Sequence, residues 1–365
     1  MMKTRRSFLQ SLPALAFYPT PLGTSLAANA QSVAKGAVRL DALCYSYYRE
    51  ITGERIARVI AGGLTVAVFD INAIPRNYRT ALSELRKWQA RFNAPASRAL
   101  AIRQAADVRH AQRVKKLGIV LACQDAAILG DKLDDGLKKL REFYDLGLRV
   151  LQLTHNEPNA WGTSYQEYRR TGLSEAGRGL IKKMNELGIA IDLSHCNPQT
   201  LYDTLALSQR PCLVTHAGCR ALANTSRNKS DDELRALGKS GGFFGVYNMT
   251  NWLTAHPTAT LDTVIDHIAY AAKLIGAERV GFGSDGALDA LDAASETNSM
   301  ANMQRASQGK PGAEWEVRHV RVPELNAPNR MEKLAAGLTR RGFKTAEIEG
   351  FIGGNFIRVF QQVCG

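Results

Sequence analysis

Three histidines and an aspartate, His155, His195, His216 and Asp285, each stand shortly after an apolar, β-branched run of the chain. Neutral imidazole nitrogens are good ligands for a divalent ion, and a carboxylate can ligate the same ion or accept and return a proton. His195 ends Ile191-Asp192-Leu193-Ser194, and His216 ends Cys212-Leu213-Val214-Thr215. If the two runs are adjacent parallel strands, about 4.8 Å apart, both imidazoles can converge on one metal. Asp285 lies in Gly283-Ser284-Asp285-Gly286, after another such run. A single polar residue at a strand end needs no function to explain it. His195, His216 and Asp285 together at one rim suit metal-assisted hydrolysis, in which the ion activates water and polarises a carbonyl.

The elements that must position these groups are eight apolar runs, at 38–44, 64–70, 119–123, 150–153, 189–193, 212–215, 243–246 and 280–282. Helical patterns separate most of them. Strand–helix alternation of this kind predicts a (β/α)₈ TIM-type barrel, with its active site at the C-terminal ends of the strands. Ser174 reads as the N-cap of a helix running to Leu187 and stopping at Gly188, and Ser230 with Glu233 as a capping box for one ending near Gly238. A further helix spans 261–275. From Gly286 to about Asn329 the pattern dissolves into a polar stretch, a candidate lid or subunit contact that leaves a homodimer open. C-terminal segments at 332–341 and 345–362 then read as closing helices, separated around Gly353-Gly354-Asn355.

The 365 residues, 45% hydrophobic and 22% charged, fit one barrel domain over 31–365. Residues 1–30 read as a leader. Thr4-Arg5-Arg6-Ser7-Phe8-Leu9-Gln10 resembles a twin-arginine export signal, followed by a short apolar stretch and Ala28-Asn29-Ala30, a small-x-small cleavage site. Pro13, Pro19 and Pro21 interrupt that stretch, so no stable membrane span is expected. Export by the twin-arginine translocation machinery would place the protein in the periplasm or outside the cell. Without Lys3, Arg5 and Arg6, the 47 basic residues fall to 44 against 34 acidic ones, a net charge of +10. These charges are spread along segments such as 109–116 and 138–141, which suits solvated helix faces and argues against nucleic acid as a partner. Six cysteines include no CxxC pair. Cys44, Cys123 and Cys196 fall near strand ends, where buried apolar roles are the default.

A set of ordered motifs resembles the renal or membrane dipeptidase family, peptidase family M19. They are LREFYDLGLR at 140–149 with Leu153-Thr154-His155-Asn156, Asp192-Leu193-Ser194-His195, Thr215-His216, Arg227-Asn228, Gly283-Ser284-Asp285, and Gly353-Gly354-Asn355-Phe356 with Arg358. The resemblance runs from about residue 37 to 361. It implies a zinc dipeptidase on a (β/α)₈ barrel with two bridged ions. By position, His195 and His216 resemble the ligands of one ion, and Asp285 a ligand of the other that also shuttles a proton. His155 resembles the residue that contacts the scissile group, and Arg227 the one that holds the carboxylate of a small peptide-like substrate.

The departures fall on the other ligands. Where the family has His-x-Asp on strand one, this chain has Leu43-Cys44-Tyr45. Gln124 stands at the position of the bridging glutamate, and Gly286-Ala287 replaces a second Asp-Gly. Two zinc ions side by side need anionic bridges, so one zinc ion is expected, and two only if Asp70, Tyr45 or Asp125 rebuilds the site. The chain is then either a metal-dependent hydrolase of a dipeptide or similar small amide with a free carboxylate, or an impaired relative acting as a periplasmic binding or maturation factor. For the leader, the double change Arg5→Lys, Arg6→Lys should leave unprocessed protein in the cytoplasm. Normal cleavage near Ala30 in a cell-fractionation assay would show that the signal was misread.

Overall fold

Every one of the eight apolar runs forms a parallel strand. The computed structural model describes residues 36–46, 49–71, 74–167, 171–256, 258–307 and 320–365. The expected leader lies outside them, as do residues 308–319 of the long polar stretch. The strands are β1 (Leu40–Tyr45), β2 (Val66–Asp70), β3 (Ala99–Ala101), β4 (Leu117–Cys123), β5 (Leu148–Gln152), β6 (Ala190–Asp192), β7 (Leu213–Ala217), β8 (Phe243–Val246), β9 (Val280–Phe282) and β10 (Gly286–Ala287). Their order is β10-β1-β2-β4-β5-β6-β7-β8-β9. β9 and β10 are two halves of one chain passage, so the sheet curls round and meets itself there. Gly283 N–H donates to Val246 O at 3.1 Å, and Asp285 N–H to Leu43 O at 2.9 Å.

Two details differ from the expected barrel. The short β3 was not foreseen; it pairs with the start of β4 and stands off the ring. The last strand is broken at 283–285 because its first half pairs with β8 and its second with β1. The capped helices are Glu175–Leu187, with Ser174 accepting from Gly177 N–H and Gly188 left-handed at its end, and Asp231–Lys239, with the Ser230–Glu233 capping box. The polar stretch after the last strand contains a helix, Ala293–Ser307, that its sequence did not suggest. Among the described residues no helix is long and apolar enough to cross a membrane.

Side chains alternate across a strand, and that parity sorts the core. Leu40, Ala42, Val66, Val68, Val120, Ala122, Val150, Ala190, Leu213 and Phe243 form one buried cluster inside the ring. Phe356, Val359, Phe360 and Val363 of the last helix, Asn355–Cys364, belong to the same cluster and plug the N-terminal end of the barrel. Gly353 permits this approach, because a β-carbon there would lie 2.6 Å from Val38 O. Asn355 then ties the plug to the wall by donating to the carbonyls of Ala277 and Val280 at 2.8 and 2.7 Å.

A buried ion pair fastens the seam. Asp41, fully buried on β1, accepts from Ser284 N–H at 2.7 Å and faces Arg330 at 3.0 Å. Arg330 opens the helix Arg330–Arg340 and also donates to Ser284 Oγ and to the carbonyls of Ala287, Leu288 and Asp289. Removing one partner of such a pair strands the other charge in the interior. Arg330→Met should therefore cost about 3–5 kcal/mol in urea unfolding. A midpoint unchanged from that of the natural chain would mean that the backbone ladder alone closes the ring.

Candidate active site

One step above the apolar layer, the same inward parity places Asp70, Gln124, Gln152, Asp192 and Thr215, all buried. This polar layer supports the rim. Asp192 Oδ1 accepts from Ser194 N–H, Ser194 Oγ and Thr215 N–H, and Asp192 Oδ2 accepts from Thr215 Oγ at 2.5 Å. With that hydroxyl proton on an ionised Asp192, the 2.8 Å contact between Thr215 Oγ and His216 Nδ1 is one the imidazole donates. His216 Nε2 is then left with its lone pair exposed to the site. It lies 3.1 Å from His195 Nε2. Burial holds the imidazoles of His155, His195 and His216 well below the usual histidine range, so they are neutral and suited to ligation. His195 lacks the support His216 has, since its Nδ1 is buried without a hydrogen-bond partner among the described residues.

The other candidates gather around this pair. The His155 ring stacks on His195 with centroids 4.3 Å apart. Arg227, almost wholly buried, donates to Ser194 O at 2.5 Å and His216 O at 2.8 Å, the carbonyls at the ends of the two histidine-bearing strands. Its guanidinium lies 5.5–5.7 Å from the rings of Tyr165, Tyr247 and Trp252, and its Nε has no partner among the described residues. Arg227 thus links the two strand tips as well as facing the site, a duty its sequence context did not show. Asp285 occupies the break in the last strand with φ +49°, a left-handed conformation unusual for a residue other than glycine. Burial pushes its carboxyl up to about 6, against the lowering pull of Arg321 and Arg227. That range suits a group that takes and returns protons near neutrality.

The expected three-ligand set is not assembled. Among the described residues no three His, Cys, Asp or Glu side chains form a metal-binding group. His195 and His216 meet, whereas the bond from Asp285 N–H to Leu43 O holds the aspartate on the β1 side of the mouth. The candidate substitutes are also committed. Tyr45 Oη accepts from Arg321 at 2.7 Å, and Asp70 accepts from both the backbone and side-chain N–H of Gln124 at 3.2 Å. Asp125 caps the turn Ala126–Leu129, accepts from Asn159 and lies 3.5 Å from Arg76. No disulfide forms among the cysteines, and burial raises the Cys44, Cys123 and Cys196 thiols, leaving no thiolate beside His195.

The histidine pair would supply two ligands to one ion, and the residues at 43 and 124 do not suit a bridged second one. Two nitrogens about 2.0–2.1 Å from a tetrahedral zinc ion stand about 3.3 Å apart, close to the separation of the two imidazole Nε2 atoms. A bridged second ion would need Leu43 to ligate and Gln124 to carry charge, and neither can.

A closed parallel barrel with a histidine pair on adjacent strand tips defines a class, the barrel hydrolases that work at the C-terminal rim. Within it, the chain belongs to the membrane dipeptidase family, peptidase family M19, whose family model matches residues 23–304. Mouse dipeptidase 3 is 31% identical over 249 residues, covering 67% of this chain and 45% of that protein. The matches span less than half the length of the curated relatives. An amidohydrolase from Pseudomonas aeruginosa shares the fold, with a TM-score of 0.79 and 24% identity over 92% of this chain and 98% of its own. A metallopeptidase from Rhodobacter sphaeroides, solved with a phosphinate mimic of the dipeptide L-Ala-D-Ala, has a TM-score of 0.71 and 20% identity over 90% and 99% of the two chains.

If the Asp192–Thr215–His216 chain orients the ligand, Thr215→Val should weaken zinc binding about 10–100-fold by titration calorimetry, as loss of such support does elsewhere. Unchanged affinity would remove Thr215 from that role.

Proposed function

We propose that this chain is an exported hydrolase that takes one metal ion on His195 and His216 and cleaves a dipeptide or similar small amide with a free carboxylate. The observation that carries the reading is the His195–His216 pair, 3.1 Å apart and backed through Thr215 by Asp192. A zinc ion bound there would supply a water whose pKa falls to about 7. Arg227 keeps guanidinium N–H groups for a substrate carboxylate, with three aromatic rings around it to exclude water. His155, on the outer face of His195, is placed to hold the scissile group. Asp285 accepts a proton from the attacking water at its carboxylate and returns it to the leaving nitrogen. The Arg5-Arg6 leader supports export.

A second reading, a periplasmic binding or maturation factor without turnover, is favoured by one observation. Tyr45 and Gln124 are engaged by Arg321 and Asp70 at the positions where ligands were expected. Elemental analysis of protein purified without chelator, together with Ala-Ala and Gly-Ala cleavage, separates the two. One divalent ion per chain with slow turnover supports the hydrolase, and His195→Ala or His216→Ala should then abolish metal binding. Metal-free protein that binds but never cleaves dipeptides supports the binding factor. If Arg227 anchors the carboxylate, Arg227→Ala should raise KM strongly, and amidated dipeptides should be poor substrates. Equal rates on free-acid and amidated peptides would exclude that role.

A further inference from the structure

The side of the mouth nearest the barrel seam offers a second ion almost nothing, and a charged group of the chain itself stands there. Arg321 is 3% exposed and donates to the Tyr45 hydroxyl at 2.7 Å. Its backbone is fixed from both directions. Val320 and Arg321 N–H groups donate to Glu296 Oε1 at 2.6 and 3.2 Å, Thr250 N–H to Val320 O at 3.0 Å, and Val322 N–H to Asn248 O at 2.9 Å. Register brings the anchor next to the aspartate, since Tyr45 pairs with Ala287 and Cys44 with Gly286, directly after Asp285. The guanidinium lies against this strand, since a β-carbon at Gly286 would stand in ordinary contact with Arg321 Nε, at 3.5 Å. Arg321 is also the strongest positive influence on the Asp285 carboxyl.

We infer that the Arg321 guanidinium, held on the Tyr45 hydroxyl, occupies the place of a second ion beside Asp285, so that the centre combines one metal position with one fixed side-chain cation. The inference rests on the single-ion reading above and adds what fills the other half. A guanidinium stays charged at any pH the fold survives and presents planar N–H donors to an oxygen anion. It requires no lone pair from position 43. A dication and a monocation repel less than two dications, so a neutral amide at position 124 no longer leaves the centre short of negative charge. The three departures at Leu43, Tyr45 and Gln124 then have one cause. An oxyanion forming in the site would lie between the ion on the histidine pair and the N–H groups of Arg321, as at other preorganised anion sites.

The test counts metal. The natural chain, the triple variant Leu43→His, Tyr45→Asp, Gln124→Glu, and the same triple variant with Arg321→Met are each dialysed against zinc and measured by elemental analysis, with circular dichroism to confirm folding. The expected contents are one, one and two ions per chain, because the carboxylate introduced at position 45 pairs with the guanidinium, and the restored ligands cannot take an ion while it remains. Two ions in the triple variant with Arg321 present, or one in the folded quadruple variant, would overturn the inference. Should the quadruple variant not fold, a thermal double-mutant cycle on the natural background decides. Arg321→Met and Asp285→Asn together should lower the melting temperature by several degrees less than the sum of the single changes, and additive losses would overturn the proposal. A natural chain without zinc would count against the single-ion reading alone. The cycle, which needs no metal, would then still test Arg321.

Discussion

The closure of the ring at Ser284 and Asp285 is the constraint on which the rest of the structure turns. A parallel sheet of eight positions has two edges until its last strand reaches its first, and here that strand is broken, pairing with β8 before the break and with β1 after it. Asp41 and Arg330 hold the two halves against β1 from inside the wall. The break is what carries Asp285 in its left-handed conformation to the mouth. The same seam brings Tyr45 alongside, and Tyr45 in turn receives Arg321. The geometry of the rim is thus tied to a charge pair buried in the wall.

Much of the fold could be read from the chain because the strands are buried on both faces and stand out as apolar runs between capped helices. The runs at 64–70 and 119–123 became Val66–Asp70 and Leu117–Cys123, with Asp70 and Gln124 in the layer their parity dictates. Ala99–Ala101 escaped notice because three residues carry no periodicity, and its burial depends on pairing with β4 alone. The helix Ala293–Ser307 was missed for a related reason: its composition lacks a coherent apolar stripe.

The candidate site was legible where one strand end supplies a whole signal, as at His195, His216, His155 and Asp285. It was not readable where contacts at the mouth join distant segments. Tyr45 and Arg321 are 276 positions apart, and neither has a neighbour in the chain that announces the contact. Asp192 and Thr215 could have been found by counting two residues up from the inward apolar positions Ala190 and Leu213. Asp125 misled because a carboxylate near a strand end can equally cap the turn that follows, which is what it does.

The two bonds from Arg227 to Ser194 O and His216 O have a consequence for how ligands act on one another. If, as proposed, this guanidinium takes a substrate carboxylate, the group that binds the anion also fixes the spacing of the imidazole pair. Any shift it makes toward a bound anion is felt by both histidines, and any tightening of the pair around an ion fixes the guanidinium in turn. Thermodynamic linkage makes the two effects equal: whatever factor an anionic substrate imposes on metal affinity, the metal imposes on affinity for that substrate. One arginine would then make the metal and the anion heterotropic effectors of each other, with no moving domain or second subunit involved.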